Sequence, residues 1–365
     1  MSEYAERIRR ATAQLRQAGA DLLVVGPSSD LIYLTGLVGN PSERFKVLLV
    51  SAAGETALVL PAFEVSLVDH LPVRPALYPW EETEDPLPAF RRAARALGGG
   101  RRVAVGPQLW STFLLRLQGA LPDAAFMDGG PLLAPLRIRK SPEELELMRT
   151  AARIADQAYL ALLQQPLAGR TEREVLALIH DGLRRAGMER LGGGIVGAGP
   201  NGASPHYKTA DHKVVPGDAL VIDFGGQYRN YWADITRTPH VGPPGDDFRF
   251  VYRIVQEAQQ AALEAVRPGV SCEAIDRVAR DHIARHGFGE FFVHRTGHGI
   301  GLDGHEEPYL VQGNSTPLEE GMTFSLEPGI YLPGQFGVRI EDIVAVTADG
   351  AERLNTCSRD LTVVT

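Results

Sequence analysis

The chain has 365 residues, 44% hydrophobic and 22% charged, with 37 Lys and Arg against 45 Asp and Glu and a formal net charge of −8. That length and apolar content suffice for two cores, while an acidic balance whose one short basic cluster is Arg137-Ile138-Arg139-Lys140 argues against nucleic-acid binding. No apolar run approaches the roughly 20 residues needed to cross a membrane, so neither nucleic acid nor membrane is expected as a partner.

In chain order, Tyr4, Ile8, Ala11 and Leu15 form a helical stripe that ends at Gly19, and Leu22 to Val25 reads as a strand. The opening MSEYAERIRR is charged and lacks the apolar core of a secretory signal, and Cys272 and Cys357 give no disulfide framework. Both point to a cytoplasmic protein with reduced, structural cysteines. Lys46–Val50 and Thr56–Leu60 predict a hairpin, after which helices near 63–71, 86–97 and 109–119 alternate with strands near 103–105 and 124–127. Arg137, Arg139 and Lys140 read as a solvated linker. Ser141-Pro142-Glu143-Glu144 is a capping box with proline at the first helical position, and it opens a helix running to about Leu163. The expected domains are 1–134 and 135–365.

The second domain carries an internal repeat. Gly169-Arg170-Thr171 opens an amphipathic run ending at Gly187, and Gly269-Val270-Ser271, about 100 residues on, opens another ending at Gly287. Glycine-rich stretches follow both, then a histidine near a proline: His206 after Pro205, and His305 in HEEP. Asp223 and Asp234 in the first half correspond to Glu327 and Glu341 in the second. This predicts a duplicated α+β unit related by a pseudo-two-fold axis, each copy presenting a hairpin with two carboxylates.

With His298, those carboxylates make five potential ligands: Asp223 in VIDFGG, Asp234 in YWADIT, His298 in RTGHGIG, Glu327 in SLEPG and Glu341 in VRIED. Hydrophobic, strand-like runs flank them, where an unpaired carboxylate would cost several kcal/mol and a cation would remove that cost. Four carboxylates and one imidazole suit two divalent ions of the Mn, Co, Fe or Zn class that activate one water, and they lack the thiolates of a structural zinc. His294, His212 and His240 have no comparable context and read as ordinary histidines.

DFGGQYRNYWADITRT, HRTGHGIGLDGHEEP, SLEPGIY and VRIEDIVAV closely resemble the motifs of the pita-bread metallopeptidases, in their proline-specific branch of prolidases (Xaa-Pro dipeptidases) and aminopeptidase P. The likeness is strong over about residues 135–365 and weak before. It implies a C-terminal pita-bread (creatinase/aminopeptidase) fold preceded by a smaller creatinase-like α/β domain, two divalent metal ions (Mn, Co or Zn), and commonly a homodimer. By the same resemblance, Asp223 and Asp234 bind one metal and His298 the other, with Asp234, Glu327 and Glu341 bridging or completing both. Glu327 serves as general base, and His206 and His305 contact the scissile amide.

The expected substrate is a small Xaa-Pro peptide, in which proline supplies a tertiary amide without an N–H. Selectivity for a dipeptide requires a cation for its free carboxylate. Arg339 matches a family arginine near that position, and Arg44, following the polar stretch Asn40-Pro41-Ser42-Glu43, is the second candidate. Prolidase activity is the first reading and aminopeptidase P the next. Methionine aminopeptidase and a non-catalytic peptide-binding relative stay open, whereas the intact ligand set counts against metal-free creatinase.

Overall fold

A computed structural model describes residues 2–365. The chain forms two compact units, Met1–Arg137 and Ile138–Thr365. The boundary expected near Pro135 falls in the last turn of helix Gly130–Arg137, which belongs to the first unit. Among the described residues, no helix is long and apolar enough to cross a membrane.

The first unit is built on a six-stranded mixed sheet in the order Ala76–Trp80, Thr56–Pro61, Val47–Ser51, Leu22–Val25, Arg102–Val105, Ala125–Asp128. The central strands are buried on both faces, which is why they read as continuous Val and Leu runs instead of alternating ones. Helices Glu3–Gln17, Leu87–Ala96 and Ser111–Ala120 fall where periodicity placed them, while Ala62–Val68 is a 3₁₀ helix. Three elements escaped sequence reading, the helix Gly130–Arg137 among them. Ala76–Trp80 is a largely exposed edge strand containing Pro79, and the short helix Ser29–Thr35 is capped by Ser28 and stopped by Gly36 at φ 76°.

The second unit repeats one plan. In its first half, helices Pro142–Leu162 and Glu172–Ala186 share a core with the antiparallel sheet Arg190–Ala198, Leu220–Tyr228, Tyr231–Arg237. In its second half, helices Asp246–Ala265 and Cys272–Arg285 share a separate core with a sheet ordered Glu306–Leu310, Gly297–Gly299, Thr323–Leu326, Asp342–Val346, Ala351–Arg353. The expected capping box forms at Ser141/Glu144, a second is found at Thr171/Glu174, and Ser271 caps the corresponding helix of the second half.

The basic cluster between the units is not a solvated linker. Arg137 is buried in an ion pair with Asp30 at 2.8 Å, and Lys140 is buried against Glu306 at 2.6 Å; Arg139 alone is a surface cation, paired with Glu319. Carboxylates distant in sequence made burial possible, and a sequence window cannot see them.

Candidate metal centre

In the first half, the turn Arg229-Asn230 has positive φ at both residues (48° and 70°), the type I′ geometry that matches the twist of a two-residue hairpin. It fixes a register in which Asp223 faces Thr236 and Gly225 faces Asp234. Because alternate residues share a face, both aspartates project from the same side of the hairpin. A side chain at Gly225 would collide with the Ala233 carbonyl, so glycine is needed opposite Asp234.

In the second half, the pairing Leu326↔Asp342 leaves Glu327 and Glu341 at the same end of one ladder. His298 lies on the neighbouring strand Gly297–Gly299, its backbone N–H donating to Ser325 Oγ at 3.0 Å. The two halves meet at a bridge between Thr236 and Glu341, where the Glu341 N–H donates to the Thr236 carbonyl at 3.0 Å.

This brings the expected ligands together. Ligand atoms of Asp234, His298 and Glu341 all lie within 4.8 Å of one another, and His298 Nε2 is 3.3 Å from Glu327 Oε1. Asp223, Asp234, His298, Glu327 and Glu341 line one cavity of about 640 Å³, together with His206, His305 and Arg339.

The donor set has the electrostatics of a cation site. Burial, reinforced by Asp223 and Glu327, pushes the Asp234 carboxyl well above its ordinary range; burial and then Asp234, Glu327 and Asp223 do the same to Glu341. Burial also pushes Glu327 up to about 7. Carboxylates that resist ionisation because they crowd one another in a desolvated pocket are stabilised by divalent cations. His298 is pushed down to about 3, chiefly by burial and then by His305, so its imidazole is in the neutral form that ligates metal. The residues fit two divalent ions.

His305 stacks on His298 with ring centroids 3.7 Å apart, and its Nδ1 lies 3.1 Å from Arg295 Nη2. A guanidinium can only donate, so His305 Nδ1 accepts and its proton is assigned to Nε2. Burial, then Arg295, lowers the pKa of His305. His206 is exposed at the cavity wall.

Arg339, expected as a substrate cation, lines the cavity and is also bonded within it. Its buried guanidinium donates to Asp223 Oδ2 at 2.6 Å, to the Tyr331 hydroxyl at 2.7 Å, to Thr236 Oγ1 at 3.1 Å and to the Pro205 carbonyl at 3.4 Å. Most of its donors therefore hold the site itself. Arg44 lies in the first unit, with its guanidinium against Glu82 at 3.0 Å and Glu43 at 2.9 Å.

Sequence reading missed the support given by Thr236, Ser325, His294 and Tyr331. Thr236 Oγ1 donates to Glu341 Oε2 at 2.6 Å, and Ser325 Oγ donates to Glu327 Oε1 at 3.0 Å. His294, read as ordinary, lines the cavity: its Nε2 is 2.8 Å from the Tyr331 hydroxyl and its Nδ1 is 2.8 Å from the Arg295 carbonyl. The local signal was present, since Thr236 and Ser325 each lie two residues from a ligand and therefore on the same strand face as it.

Residues 146–348 match metallopeptidase family M24, and residues 7–139 match the creatinase/prolidase N-terminal domain. A protein described as a probable dipeptidase PepE of Mycobacterium tuberculosis is 41% identical over 368 residues, 99% of this chain and 96% of its own. A Xaa-Pro dipeptidase of Lactobacillus helveticus is 36% identical over 355 residues, 96% of each chain. Among solved structures, a recombinant prolidase from Thermococcus sibiricus is similar with a TM-score of 0.95 at 33% identity, covering 100% of both chains.

Proposed function

The chain belongs to metallopeptidase family M24, and from that premise we propose that it hydrolyses the peptide bond between an N-terminal residue and proline, acting as a prolidase on Xaa-Pro dipeptides. The observation that carries this reading is the convergence of Asp234, Glu327 and Glu341 on a neutral His298 in one cavity, with a second imidazole, His305, stacked on it. Relatives described as Xaa-Pro dipeptidases, similar along nearly the whole chain, support it.

Asp223, Asp234, His298, Glu327 and Glu341 would hold two divalent ions, manganese, cobalt or zinc. When bound, such a pair supplies Lewis acidity to the scissile carbonyl and lowers the pKa of a water. Glu327 takes that water's proton. Its Oε1 already accepts from Ser325, so we assign the proton to Oε2. The same carboxyl group can then return the proton to the departing proline nitrogen. His305, with its proton on Nε2, donates a hydrogen bond to the oxygen that becomes negative, and Arg295 keeps it in that tautomer. His206, exposed at the cavity wall, would contact the scissile amide from there.

The test is hydrolysis of Ala-Pro, Met-Pro, Xaa-Pro-Yaa peptides and Met-Ala-Ser after chelation and addition of Mn(II), Co(II) or Zn(II). Cleavage of Ala-Pro is expected. Preference for Xaa-Pro-Yaa would make the protein an aminopeptidase P, Met-Ala-Ser cleavage without Ala-Pro cleavage a methionine aminopeptidase, and no hydrolysis with any ion would sink the peptidase reading. Arg44 and Arg339 are our candidates for the dipeptide carboxylate; an Arg44→Ala variant with an unchanged Ala-Pro to Xaa-Pro-Yaa ratio removes Arg44. The reading extends to a cytoplasmic homodimer, for which light scattering and cell fractionation are the checks.

A further inference from the structure

Outside the cavity, helices Asp246–Ala265 and Cys272–Arg285 pack against each other and bring Glu257, His282 and His286 together. His282 lies in the last turn of its helix and His286 is the C-cap residue four positions on, with ring centroids 4.8 Å apart. Ligand atoms of all three residues lie within 4.8 Å of one another.

The hydrogen bonding of this cluster is incomplete in a specific way. His282 Nε2 is buried and has no hydrogen-bond partner, although Glu257 Oε2 is only 3.3 Å away. An imidazole nitrogen and a carboxylate oxygen that approach this closely without an aligned proton are each under-satisfied. A cation between them would serve both. The other atoms are arranged compatibly. Glu257 Oε1 is turned to Arg253 at 4.0 Å, leaving Oε2 towards the histidines. His286 Nδ1 lies 2.9 Å from the His282 carbonyl, which assigns its proton to Nδ1 and leaves the Nε2 lone pair for a ligand. Burial lowers the pKa of His282, favouring the neutral ring.

We propose that Glu257, His282 and His286 form a further metal site, a two-imidazole, one-carboxylate site for a divalent ion of the zinc class that clips these two helices together. Two imidazoles favour zinc, nickel or copper over magnesium or calcium, which take oxygen donors. Bond lengths of about 2.0–2.2 Å require the three donors to draw together by side-chain rotation, which the exposure of Glu257 and His286 permits. Water completes the coordination from the solvent side, so the site holds an ion and takes no part in hydrolysis.

The experiment is equilibrium dialysis of the chelated full-length protein against buffered Zn(II), with metal per chain counted by mass spectrometry. Glu257→Ala, His282→Ala and His286→Gln are each expected to bind one equivalent less than the parent while retaining its Xaa-Pro hydrolysis. Unchanged stoichiometry in the variants would overturn the proposal. His286→Gln alters an exposed side chain, so it decides the matter even if His282→Ala does not fold.

Discussion

In the first half of the catalytic unit, a hairpin presents Asp223 and Asp234 half-buried, facing the cavity; in the second half, His298 and Glu341 are 3% and 2% exposed. Both halves use a helix pair, a separate core and an antiparallel sheet. The difference shows how a duplicated plan yields unequal walls around one cavity. Desolvation falls on both halves, since burial is the first cause of the rise at Asp234, Glu327 and Glu341, and Thr236, from the first half, gives Glu341 its short hydrogen bond. Arg339 reciprocates from the second half by gripping Asp223 of the first. Each wall therefore depends on the other for the orientation of a ligand.

Removing one ligand from each half tests that dependence most severely. Asp234→Asn and His298→Ala should each lower kcat/KM by more than about 10³-fold, since several kcal/mol of charge stabilisation are lost at about 1.4 kcal/mol per decade. Steady-state kinetics with bound-metal counting is the check, and an active Asp234→Asn would remove the first half from the centre. His305→Ala should cost about 10²–10³-fold, mainly in kcat, because it deletes one donor to the developing oxyanion; a change confined to KM would contradict that role.

Thr236→Val and Ser325→Ala probe the same dependence at smaller scale. Each removes the hydrogen bond that orients a carboxylate, and metal affinity measured by competition with a chelator should fall about 10–100-fold. If Thr236→Val left affinity unchanged, the cross-support between the halves would have no energetic content.

The mildest effect concerns pH and the metal-free protein. Glu327 is raised from 4.5 to about 7, so the stability it contributes is fully present below pH 4.5 and lost as pH rises through 7. His298 and His294, lowered from 6.5 to about 3 and about 4, run the other way: their contribution is lost as pH falls below 6.5. The two trends oppose each other between 4.5 and 6.5. Above 6.5 the carboxylates act alone, so the Tm of chelated protein should fall towards about pH 8 and recover on adding Mn(II). A Tm that rises over that range in the chelated protein would refute the crowded-carboxylate picture.

What is local or carried by motif was legible in the chain: the caps at Ser141, Thr171 and Ser271, the alternation of elements in the first unit, and the five expected ligands, which line one cavity. Which side chains serve those residues emerges only once the chain is folded. Arg339 is found holding Asp223 from the other half; His294 is read as ordinary and is found on the cavity; Arg137 and Lys140 are read as solvated and are found buried. Glu257, His282 and His286 meet across two helices for the same reason. Caps and strand patterns are set by neighbours a few residues away, whereas a hydrogen bond or ion pair across a hundred residues depends on which surfaces pack together, which no local window contains.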